Sequence, residues 1–96
     1  MTIDQSSLNT LLQQGWDGNN QMINKGYRFA DFRAAMAFMQ AAIEGIEELN
    51  HHPEWSNVYN QVKVQLTTHD AGNVVTDKDI KLAQLLDQLA GAQSHA

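Results

Sequence analysis

Apolar positions along this chain follow two periods, and the points where one gives way to the other mark its elements. Leu8, Leu11 and Leu12 fall on one face of a short helix that Asp4 or Ser6 can cap and Gly15 can stop. Trp16 follows, then the turn-forming run Asp17-Gly18-Asn19-Asn20. From Gln21 to Phe29 the spacing drops to two, with Ile23, Lys25, Tyr27 and Phe29 alternating. This predicts a strand, with Gly26 as a candidate bulge and a short partner strand around Trp16 across the turn. After Asp31, the expected cap, the spacing returns to three and four. Phe32, Met36, Met39, Ile43, Ile46 and Leu49 form one helical stripe, widened by Ala35, Phe38 and Ala42, and Asn50 ends it.

Glu54 to Tyr59 and Val62 to Thr68 read as two extended runs, the second alternating Val62, Val64 and Leu66 with Lys63, Gln65 and Thr67. With Asn60-Gln61 as a two-residue hairpin loop, Tyr59 faces Val62, Trp55 faces Leu66 and His52 faces His69. Asp70-Ala71-Gly72-Asn73 is a loop, and Thr76-Asp77-Lys78-Asp79 resembles a capping box with Asp in place of Glu or Gln. A last helix turns Ile80, Ala83, Leu86 and Leu89, or a neighbouring set, inward and ends at Gly91. The order α-β-β-α-β-β-α predicts an α+β fold: a two-layer sandwich of a four-stranded antiparallel sheet with three helices on one face.

At 96 residues the chain is expected to be a single domain over residues 1–96, with a core small enough that oligomerisation would add stability. A net charge of −5 and six dispersed basic residues argue against direct nucleic-acid binding. The absence of cysteine excludes disulfides, thiolate metal sites and cysteine nucleophiles. No apolar run approaches the ~18 residues of a membrane span, and Met1 to Gln5 lack the regions of a signal peptide. A cytoplasmic protein without membrane contact is expected.

The candidate chemistry lies at Glu47-Glu48-Leu49-Asn50-His51-His52-Pro53-Glu54-Trp55. Pro53 drives His52 into extended geometry, so the chain leaves the helix at a rigid corner. Adjacent side chains then point to opposite sides, and His51 and His52 cannot both be packed into one core. Glu47 stands one helical turn before His51, close enough for its carboxylate to hold that ring. His69 returns to the same sheet edge at the far end of the hairpin. Three imidazoles around one mouth suit proton transfer in both directions. Each residue also has a plainer reading: His51, His52 and His69 as solvated loop and strand-end residues, Glu47 as a surface carboxylate, Asp79 as a cap, Trp16 and Trp55 as core or interface. A metal site is poorly served, because adjacent histidines diverge and no H-x-H or H-x-x-x-H pair is present.

Glu47-x-x-x-His51-His52-Pro53, Tyr59 six positions on, His69 and then Asp79 resemble the signature of the pterin-4a-carbinolamine dehydratase family. Gly15-Trp16, Phe29-x-Asp31-Phe32, Phe38-Met39, Glu54-Trp55, Asn57-Val58-Tyr59-Asn60, Leu66-Thr67-Thr68-His69 and Asp79-Ile80-x-Leu82-Ala83 extend it over roughly residues 8 to 90. The resemblance implies a lyase that removes water from 4a-hydroxytetrahydropterin, giving quinonoid dihydropterin and recycling the pterin of aromatic amino acid hydroxylases. It implies His51, His52 and His69 as the catalytic set, with neither metal nor organic cofactor. His52 would take the ring-nitrogen proton, and His51 and His69 would act as acids. Glu47 would orient His51; Pro53 and Asp79 complete the matched motif; Trp16 would help wall the pterin. It further implies a homodimer or homotetramer. Animal relatives are also dimerisation cofactors of a homeodomain transcription factor, which makes a coactivator the alternative function.

Overall fold

In the computed structural model, which describes residues 5–93, the elements run α1 (Gln5–Gln13), β1 (Asp17–Gly18), β2 (Ile23–Arg28), α2 (Phe32–Leu49), β3 (Glu54–Val58), β4 (Gln61–Leu66) and α3 (Asp77–Gly91), with a 3-10 turn at His69–Ala71. The strands form one antiparallel sheet in the order β1-β2-β4-β3. The α+β class and the element order are those the sequence pattern predicts. One sheet face buries Ile23, Tyr27, Val62, Val64 and Leu66 under the helices, which contribute Leu8, Leu11, Phe38, Ala42, Ile80, Leu82 and Leu86. Residues of the other parity, among them Asn24, Arg28, Glu54, Ser56, Lys63 and Gln65, are exposed.

Several expectations are corrected. Ser6 lies inside α1 instead of capping it, and Asp4 falls outside the described residues. Asp17 and Gly18 are β1 itself, so the turn moves on to Asn19–Met22, closed by Asn19 N–H donating to Met22 C=O (2.9 Å). Gly18, at φ +130°, is required there, since a Cβ would meet the Met22 carbonyl oxygen at 2.1 Å. Gly26 makes no bulge: β2 pairs without interruption from Ile23↔Leu66 to Arg28↔Gln61.

The hairpin register also differs. Trp55 pairs with Val64, because the loop is Tyr59-Asn60 and Tyr59 sits at φ +51°, exposed. Tyr59 therefore does not share the face of Trp55. Side chains hold this turn: Asn57 Nδ2 donates to the carbonyls of Tyr59 (3.1 Å) and Gln61 (2.9 Å), and Asn60 Nδ2 to that of Phe29 (2.9 Å). The slip is two residues along β4, so the paired residues of β3 and β4 keep their faces. The expected opposition of His52 and His69 is lost with it.

Asp31 caps α2 as expected, accepting from the Ala34 N–H (2.8 Å). Its apolar stripe, however, is rotated. Ala35, Phe38, Ala42 and Ile46 face the core, while Phe32 (48% exposed) and Ile43 (49% exposed) lie on an open flank. The apolar arc is wider than the core contact, and α3 decides which part is covered. Gly45 marks the close approach: a Cβ there would lie 2.1 Å from Leu85 Cδ2. A larger residue at this position would require the Leu85 side chain to move.

One polar cluster fastens α3 to the opposite end of the core. Asp87 accepts from Trp16 Nε1 (3.0 Å), Lys25 Nζ (2.8 Å) and the Tyr27 hydroxyl (2.7 Å), and Lys25 Nζ also donates to Gln14 C=O (2.9 Å). Burial, then the Asp87 hydrogen bond, drives the Tyr27 phenol far above its ordinary pKa, so it remains a neutral donor. Replacing Asp87 with alanine leaves three donors without their acceptor. Lys25 still reaches water, so the expected loss is about 2 kcal/mol in urea unfolding; a change below about 0.5 kcal/mol would show that the cluster contributes no net stability.

Candidate active site

The corner after α2 is built by two backbone constraints. Asn50 takes a left-handed conformation (φ 48°, ψ 44°), and His51 N–H returns to Ile46 C=O (3.3 Å), which ends the helix. Pro53 disfavours helical geometry at His52, and β3 begins at Glu54.

This geometry redirects both rings. His51 does not meet Glu47; its Nε2 lies 2.5 Å from Asp79 Oδ1, a carboxylate at the start of α3 with no exposed surface. Asp79 Oδ2 accepts from the Thr68 hydroxyl (2.7 Å) and from Thr76 N–H (2.9 Å), and the two threonine hydroxyls are 2.7 Å apart. Asp79 is thus the capping residue its sequence position suggests and also the partner of His51. Glu47 instead pairs with His52, Oε2 to Nε2 at 3.2 Å, with both side chains about two-thirds exposed. The correction follows from Asn50: the one-turn spacing of Glu47 and His51 holds only while the backbone stays helical.

His69 opens the 3-10 turn beyond β4 and is 67% exposed. Its Nδ1 is 2.7 Å from Asn73 Oδ1 and its Nε2 is 3.3 Å from Glu54 Oε1. The hydrogen bond to Asn73, and after it the one to Glu54, raises the ring's pKa above the ordinary histidine value. Glu54, Asn73, Thr68 and Thr76 were missed as site residues by sequence reasoning. The T-x-x-D spacing of Thr76 and Asp79 was legible as a cap, and nothing in the local pattern pointed to the other contacts.

The three rings are joined through short stretches of chain. Thr68, beside His69, holds the carboxylate that holds His51; Glu54, two residues past His52, reaches His69. Their surroundings differ. His52 lines a recess of about 230 Å³ with Ile43, Ile46, Glu47, Pro53 and Trp55. His69 lines one of about 590 Å³ that includes Met22, Glu54, Gln65, Thr67 and Asn73, and His51 lines neither. Trp16, expected to help wall a ligand, is instead 3% exposed, packed edge-on against Tyr27 and bonded to Asp87. It offers no surface to a ligand in this chain.

Residues 1–89 match the family described as pterin 4 alpha carbinolamine dehydratase. A relative from Opitutus terrae, provisionally named a pterin-4-alpha-carbinolamine dehydratase, is 49% identical over 77 residues, covering 80% of this chain and 79% of its own. A crystal structure of a transcriptional coactivator/pterin dehydratase from Brucella melitensis superposes with a TM-score of 0.83 at 39% identity, covering 95% of this chain and all of that one. A pterin dehydratase-like RuBisCO assembly factor of the alpha-carboxysome superposes at 0.64 with 25% identity, covering 79% and 87%.

Two outcomes are expected. Asp79→Ala removes the shared acceptor of the Thr68 hydroxyl, the Thr76 N–H and His51, and should lower stability by about 3 kcal/mol in chemical denaturation. In an NMR pH titration the His69 ring should stay protonated to higher pH than an unpartnered imidazole, because its acceptors favour the charged form. An ordinary midpoint would mean that neither contact persists in solution.

Proposed function

The chain belongs to the pterin 4 alpha carbinolamine dehydratase family, and on that footing we propose that it is a lyase dehydrating a 4a-hydroxytetrahydropterin at the corner formed by His51, His52 and His69. The observation that supports this reading is the pair of bridges through Asp79 and Glu54: one links His51 to Thr68, the neighbour of His69, and the other links His69 to Glu54, two residues beyond His52. The elimination moves two protons. The 4a-hydroxyl gains one as the C4a–O bond breaks, and its electron pair leaves with water. A ring nitrogen loses the other, and its N–H electrons complete the new C=N bond of the quinonoid product. His52 takes the nitrogen proton, with Glu47 beside the charge that forms on it. One acid gives the hydroxyl its proton: His51, oriented by Asp79, where the hydroxyl lies on one face of the pterin, and His69 where it lies on the other. The product returns to the pterin pool of an aromatic amino acid hydroxylase.

The exposed flank of α2, with Phe32 and Ile43, supports assembly with further copies as a homodimer or homotetramer. The same flank favours a second reading, a transcriptional coactivator like the Brucella melitensis protein, in which it receives another protein's helix.

Single replacements of His51, His52 and His69 by alanine, assayed by stopped-flow on generated carbinolamine, should each slow dehydration, the most severe by about 100-fold. Three near-wild-type rates would refute the catalytic assignment. A stable heteromeric complex with a candidate transcription factor, formed without detectable turnover, would favour the coactivator.

A further inference from the structure

We propose that Asn73 and Glu54 are positioning residues for His69: Asn73 anchors its Nδ1, and Glu54 occupies its Nε2 proton until a substrate hydroxyl takes that place. The inference rests on the reading of His69 as an acid.

An exposed ring has little packing to orient it, so its direction is set by its hydrogen bonds. The backbone supplies one of them deliberately placed. Thr68 N–H donates to Val74 C=O (2.9 Å), and Gly72 N–H to His69 C=O (3.0 Å). Gly72 and Asn73 then take consecutive left-handed conformations, φ 91° and 61°. Glycine and asparagine are residues that tolerate that region. The loop folds back, and the Asn73 side chain meets the ring four residues earlier at 2.7 Å.

Both ring nitrogens therefore face acceptor oxygens. Neutral imidazole has one N–H and satisfies one of them; imidazolium has two and satisfies both. The clamp selects the ring that has a proton to give. Its two halves are unequal. The Asn73 contact is short, while the Glu54 contact is 3.3 Å, and the second oxygen of Glu54 lies 3.5 Å from Gln65 Nε2. Glu54 and His69 line the same recess. A hydroxyl entering it can displace the looser partner at Nε2 while Asn73 keeps the ring in place. The charged groups facing His69 are Glu54 and Asp70, and both favour its protonated form.

Asn73→Gly keeps the left-handed backbone and removes the acceptor; Asn73→Asp keeps an acceptor there. By NMR titration, His69 should lose its proton at lower pH in Asn73→Gly than in the wild type, and not in Asn73→Asp. Turnover should fall about tenfold in the glycine variant and be retained in the aspartate variant. Glu54→Ala should lower KM at a pH where the ring stays protonated, because a competitor for Nε2 is gone. An unmoved titration in Asn73→Gly, or a raised KM in Glu54→Ala, overturns the proposal. A shifted titration in Asn73→Gly alongside wild-type turnover in His69→Ala upholds the clamp and overturns the acid role, so the two failures are separable.

Discussion

A carboxylate with no access to water must find hydrogen-bond donors or be expelled, and in this fold that demand falls on Asp79. Its two oxygens are divided among the ring of His51, the hydroxyl of Thr68 and the backbone of Thr76. Those three partners belong to different parts of the chain: the corner after α2, the end of β4 and the entry to α3. Satisfying one buried group therefore fixes three segments together. The same bonds give His51 its orientation, so stability and site geometry share a cause.

The last helix repeats the device at its other end. Asp87 lies eight residues beyond Asp79, about 12 Å along the axis, and gathers Trp16, Lys25 and Tyr27. Between the two carboxylates, Leu82, Ala83 and Leu86 are wholly buried. Apolar burial supplies the attraction between α3 and the sheet, and the two acids determine its position. His52 and His69 stand outside this framework. Both are exposed, each beside one exposed glutamate. In the proposed reaction these two rings can rearrange as a ligand binds, while His51, only 10% exposed, meets the ligand in an orientation the core has fixed.

Local pattern was enough for the α+β class, the order of elements, the Asp31 and Thr76 starts, the Asn50 stop and the break between helix and strand at residues 51–53. These features depend on neighbours within a few residues: a proline's clash with the preceding backbone, a capping side chain, the alternation of Val62, Val64 and Leu66. The motif around His51 and His52 also sufficed to suggest the family to which the chain belongs. Tertiary packing decided the rest. Which arc of α2 is covered depended on where α3 approaches, and the hairpin register on asparagine side chains reaching across the turn and to Phe29. The exchange of carboxylates, with Glu47 going to His52 and Asp79 to His51, followed from one left-handed residue that turned the chain off its helix. Spacing can predict partners only where the backbone between them is regular; at sequence separations of 28 or 15, only the folded core brings them together.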